Sequence, residues 1–286
     1  MTSCPKPHTH VGLLRRVVNS PLVTKIPSMR FGICAKFQRA DELRMAGADF
    51  VEENVQTFLR GLLSDAEWQG TWSGESALPV FAANSLVPGQ MKIVGPSVDF
   101  EALRKYMQNV VARAQRVGIK ILVLGSGGAR QVPDGFDRER AQVQIAAFCR
   151  MAAELCSRAA ITLVLEPLNR SECNIINSVG EAMTFVKSVN HRNFQCLVDS
   201  YHFWVERERL EELERAMPWI RHVHVADLDG RVAPGQSGTA DYRPFFRVLK
   251  RANYQGAISV EALNFDDFQT VGKRVIAFLH RQWDEA

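Results

Sequence analysis

No apolar run in this 286-residue chain approaches the roughly 20 residues that a helix needs to cross a bilayer, so a membrane partner is not expected. None of the six cysteines forms a C-x-x-C pair, which removes the usual zinc-ribbon and thioredoxin-like readings. The chain is also long enough to build a core without disulfide staples. Free thiols in a reducing cytosol are the expected state. A basic excess is missing where it would count. Four of the 35 bases, Lys6, Arg15, Arg16 and Lys25, lie in residues 1–28 with no acid, which leaves 31 bases against 31 acids in residues 29–286. A protein that grips nucleic acid usually carries a basic surplus, so a nucleic-acid partner is not expected. Internal repeats and low-complexity stretches are absent from residues 29–286 as well.

Residues 1–28 read as a basic, partly disordered extension. Their apolar residues are interrupted by Arg15, Arg16, Asn19 and Pro21, unlike the continuous core of a signal peptide. From Met29 onward, short apolar runs alternate with segments of helical period. The strand candidates are residues 30–34, 50–52, 79–82, 119–124, 162–165, 195–198, 222–225 and 257–260. Between them, DFEALRKYMQNVVARAQRVG puts Leu103, Tyr106, Met107, Val110, Val111 and Ala114 on one stripe, with Asp99 as cap and Gly118 as stop. Ser178 and Glu181 have the spacing of a capping box. VERERLEELERAM reads as the solvated face of a helix that buries Leu210, Leu213 and Met217. Strands alternating with helices require parallel pairing through right-handed crossovers. Eight short strands, with polar residues at their ends, favour a closed α/β barrel, the (β/α)8 TIM fold, as one domain over 29–286.

The strand ends carry the chemistry. LVLEPLNR ends one strand on Glu166. CLVDSYH ends the next on Asp199, HVHVAD places His222 and His224 on one face, and ISVEAL ends on Glu261. Four adjacent strands thus deliver Glu, Asp, His and Glu to one mouth. Three carboxylates so placed repel one another, and some would take up protons. A divalent cation removes the conflict and leaves one net negative charge. Three oxygen donors with one imidazole form a hard site suited to Mn²⁺, with Mg²⁺ or Co²⁺ tolerated.

At these residues the chain resembles the xylose isomerase-like barrels, which include sugar phosphate isomerases and epimerases, ketose 3-epimerases and inosose dehydratase. EPLNR, VDSYH, HVHVAD, PGQSGTADY and SVEA carry the resemblance, and NSLVPGQMKIVGPSVD adds to it with Asn84 and Lys92 near the mouth. The resemblance implies that Glu166, Asp199, His224 and Glu261 hold one metal ion, and that Glu166 and Glu261 also transfer protons. It implies substrate contacts from Glu172, His202 and Arg231, the last sitting one residue later than in the epimerases. Family members often form dimers or tetramers, so a homo-oligomer is a further implication. In LGSGGARQVPDG, which lacks the P-loop lysine, a plain turn is expected, with Arg130 reaching toward the substrate. Glu52 is open between lining the pocket and being a satisfied structural carboxylate. His222, one layer deeper than His224, is expected in the core or behind the site.

The expected activity is proton transfer beside a ketose carbonyl through a cis-enediolate, giving epimerisation or aldose–ketose isomerisation of a small sugar or polyol. Loss of hydroxide instead would make a dehydratase. Abasic-site endonuclease chemistry on the same barrel needs more histidines, yet none lies between His10 and His191. A non-catalytic sugar-binding barrel would tolerate loss of an acid, whereas all four are present.

Overall fold

The computed structural model describes residues 1–2 and 29–286. The expected extension, with His8 and His10, therefore lies almost wholly outside the described residues. Eight strands form a closed barrel in sequence order: β1 (Arg30–Cys34), β2 (Phe50–Asn54), β3 (Val80–Asn84), β4 (Ile121–Leu124), β5 (Thr162–Leu165), β6 (Phe194–Asp199), β7 (Ile220–Val225) and β8 (Ala257–Val260). Each neighbouring pair is parallel, and β1 closes on β8 with Arg30 opposite Ala257. The chain is a (β/α)8 barrel.

Each strand shows two faces, because successive side chains alternate. Leu163 and Leu165 of β5 pack outward against the helices, whereas Val164 joins Ala82, Ile121, Val123 and Leu197 in a small core of its own inside the barrel. The same alternation turns the residue after β5, Glu166, inward. Strands β2 and β3 run further than their apolar residues indicate, to Asn54 and Asn84, because the mouth end of a barrel strand accepts polar side chains. β4 starts later than expected, at Ile121.

The helix Phe100–Val117 begins under an Asp99 cap and stops at Gly118, whose φ of +94° suits glycine. Ser178 caps Val179–Val189 as expected, but the Glu181 carboxylate accepts from the Asn177 amide at 2.7 Å, not from that of Ser178. The reciprocal box is therefore displaced by one residue. In the helix Leu210–Ala216, Leu213 is buried and Leu210 only partly so. Among the described residues, the five cysteines carry free thiols, and no helix is long and apolar enough to cross a membrane.

Candidate functional site

Glu166, Asp199, His224 and Glu261 converge at the C-terminal mouth, with one potential ligand atom from each lying within 4.8 Å of the others. His224 Nδ1 is 3.2 Å from Glu166 Oε1 and 3.5 Å from Glu261 Oε2. Asp199 uses Oδ1 to cap the helix Ser200–Val205, accepting from the Tyr201 amide at 2.7 Å. Its Oδ2 is buried and accepts no hydrogen bond. The Arg231 guanidinium stands 3.5 Å away without a hydrogen bond to it, and an ionised oxygen so buried is still costly unless a cation engages it directly.

The electrostatics of the protein alone show the same strain. Burial, then the carboxylates of Glu166 and Glu261, push Asp199 up to about 7. Burial also raises Glu166, against the pull of His224. Burial works to raise Glu261 too, but His224 and Arg231 outweigh it and hold it below the ordinary carboxylate range. A hard divalent ion would relieve all three acids together, and the donor set of three carboxylates and one imidazole fits such an ion.

The expected substrate residues border this cluster. Arg231 Nη2 donates to Glu261 Oε2 at 2.8 Å and Nη1 to Glu172 Oε1 at 3.2 Å. His202 is buried, and its Nδ1 lies 3.2 Å from the Asn169 backbone N–H. A backbone amide can only donate, so Nδ1 is the acceptor and the ring proton sits on Nε2. Nε2 is buried without a hydrogen-bond partner, 3.8 Å from Asp199 Oδ2 and 3.9 Å from Glu172 Oε2. Burial, and then the Arg231 charge, hold His202 down to about 3, so the ring is a neutral N–H donor at the mouth. These groups line a cavity of about 310 Å³ with Gln56, Ser85 and the Gly125–Gly128 turn. A larger open depression of about 790 Å³, between Phe37–Asp41 and Ser73–Ala77, contains none of them.

Arg130 requires a correction. It is fully buried and donates to the carbonyls of Leu124 at 3.1 Å and Glu166 at 2.7 Å, so it ties the ends of β4 and β5 together and does not reach the cavity. Lys92 likewise spends its ammonium on the Gly128 carbonyl, at 2.7 Å. Asn84, expected near the mouth, donates to Glu261 Oε1 at 2.8 Å. Glu52 lies beneath the cluster, 2.8 Å from His224 and 2.7 Å from His222. Sequence reasoning missed Asn169 and Gly125. Both lie inside quoted motifs, EPLNR and LGSGGARQVPDG. The second has no side chain to notice, yet a Cβ there would stand 2.3 Å from Glu166 Oε2.

A family model, the xylose isomerase-like TIM barrel, matches residues 82–281. The 3-dehydro-D-guloside 4-epimerase of Escherichia coli (strain K12) is 32% identical over 130 residues, 45% of this chain and 48% of that protein. The D-psicose 3-epimerase of Agrobacterium fabrum is 30% identical over 110 residues, 38% of this chain and 37% of that protein. The sequence matches therefore span less than half the length of these curated relatives. The crystal structure of apo 3-keto-D-glucoside 4-epimerase from E. coli superposes with a TM-score of 0.74 at 22% identity, covering 89% of this chain and all of that one, which is a likeness of fold.

Proposed function

Because this chain belongs to the xylose isomerase-like TIM barrel family, we propose that it is a sugar epimerase or isomerase that moves a proton on carbon beside a ketose carbonyl, with one divalent ion held by Glu166, Asp199, His224 and Glu261. The relatives named as sugar epimerases support the reaction class. The observation that carries the reading is the cluster itself: three acids and an imidazole within 4.8 Å, one acid oxygen buried without a hydrogen bond. When bound, a hard dication such as Mn²⁺ supplies a Lewis acid next to the carbonyl oxygen and makes the neighbouring C–H more acidic.

The protein's own groups then divide the work. Glu166 projects from the end of β5 and Glu261 from the end of β8, so the two carboxylates flank the mouth from separated strands. One takes the proton from carbon and the other, already protonated, delivers a different proton to the opposite face, which inverts that centre. If a single carboxylate carries the proton to the adjacent carbon, the outcome is aldose–ketose isomerisation. His202 offers its Nε2–H to a substrate oxygen, and Arg231 and Glu172 fix hydroxyl groups at the rim. Asn84 and Arg231 each donate to one oxygen of Glu261 at 2.8 Å, which limits its rotation.

Incubation with Mn²⁺ and a panel of ketoses in D₂O tests this. Deuterium is expected on carbon next to the carbonyl, and the labelled position reports the reaction type. Glu166→Gln and Glu261→Gln should each abolish the exchange. Binding of sugars without any exchange would identify a passive barrel.

A further inference from the structure

This inference rests on the proposed metal site and deepens it. We propose that Glu52 is the positioning residue of that site, fixing His224 so that its Nε2–H points to the barrel floor and its Nδ1 lone pair points to the three acids.

Glu52 enters from β2, far from β5–β8 in sequence, and is 1% exposed. Its Oε1 is 2.8 Å from His224 Nε2, and its Oε2 is 2.7 Å from His222 Nε2 and 2.6 Å from Ser259 Oγ. An ionised carboxylate only accepts hydrogen bonds, so each imidazole turns an N–H toward it. His224 then has one nitrogen left, Nδ1, and that nitrogen is the one facing Glu166 and Glu261. Ser259 and His222 pin the second oxygen of Glu52, and His222 is itself packed against the rings of Phe50 and Phe81. The orientation passes from the floor to Glu52 and from Glu52 to His224. A carboxylate behind a ligand imidazole both selects the tautomer and makes the remaining nitrogen a better donor. Cys34, Glu52 and His224 also lie close enough to suggest a second ion site. In this arrangement that ion would lose its imidazole, because His224 Nε2 carries the proton donated to Glu52 Oε1 at 2.8 Å.

The test is Mn²⁺ affinity, read from the loss of the free-ion EPR signal, in wild type, Glu52→Gln and Ser259→Ala. Wild type should bind one ion. Glu52→Gln should bind it about 10- to 100-fold more weakly. The Zn²⁺-loaded wild type should show a slowly exchanging, downfield His224 Nε2 proton by NMR, and Glu52→Gln should shift or lose it, which a purely structural role would not do. If Glu52→Gln does not fold, Ser259→Ala, which removes one hydroxyl, carries the test with an expected weakening of roughly threefold or more. Wild-type binding with both variants within twofold of it, or an unchanged ring proton, overturns the role of Glu52 and leaves the metal site standing. A wild type that binds no ion overturns both.

Discussion

Gly125 carries no side chain because Glu166 needs the space. A methyl group there would meet Glu166 Oε2 at 2.3 Å, with the Glu166 carboxylate itself confined by His224 and the Arg130-tethered backbone. The Gly125→Ala variant should therefore lose most of its turnover, by about 100-fold, and the overpacking should also cost about 1–3 kcal/mol of stability. Steady-state kinetics beside a melting curve separates the two effects, and an undiminished kcat would contradict the packing argument. At this scale the acids and His224 were legible, because each follows a short apolar run and so announces its position at a strand end. Arg130 was not. Whether an arginine reaches a cavity or binds two carbonyls depends on how β4 and β5 end in space, and nothing local encodes that. Glu52 was ambiguous for the same reason, since its partners His222, His224 and Ser259 lie on β7 and β8, 170 to 207 residues away in sequence.

Between elements, the strand ends are tied by side chains as well as by ladders. Arg130→Met removes both guanidinium bonds that tether the ends of β4 and β5 and should cost about 2–3 kcal/mol in denaturant unfolding. A second junction is pH-dependent. Glu208 accepts from the Val179 amide at 2.8 Å, at the start of the helix Val179–Val189, and burial raises it from the ordinary 4.5 to about 7. The folded state holds this proton more tightly than the unfolded state. The associated stability is therefore complete below about pH 4.5 and is lost as pH rises through about 7. Glu208→Gln, neutral throughout, should match wild type near the acid end and exceed it on the alkaline side by an amount on the order of 1 kcal/mol. Unfolding curves across that range check it, and a difference independent of pH would contradict it. Helix limits such as Asp99 to Gly118 were readable from caps and periodicity. The displaced partner of Glu181 was not, because the capping pattern specifies spacing but not which amide the carboxylate finds.

Residues 29–286 form a barrel with as many acids as bases, whose largely buried carboxylate cluster sits at one end. Eight apolar runs with helical segments between them implied parallel pairing and favoured closure over an open doubly wound sheet, and β1, β5 and β8 match their apolar runs residue for residue. β2 and β3 outrun theirs to Asn54 and Asn84, because the polar Glu53, Asn54 and Asn84 at the mouth end mask strand character. If an ion completes this end, Mn²⁺ at 100 times its Kd should stabilise the chain by about 2.7 kcal/mol and raise the melting midpoint by about 5 °C. Differential scanning calorimetry with and without the ion measures that shift, and an unchanged midpoint would contradict it.

The most direct test of the central claim is the metal content of the purified protein after equilibration with Mn²⁺, by native mass spectrometry of wild type and Asp199→Asn. One ion per chain in wild type, lost in Asp199→Asn, is the predicted result. A wild type that retains no ion, or an Asp199→Asn variant that retains it undiminished, would contradict it.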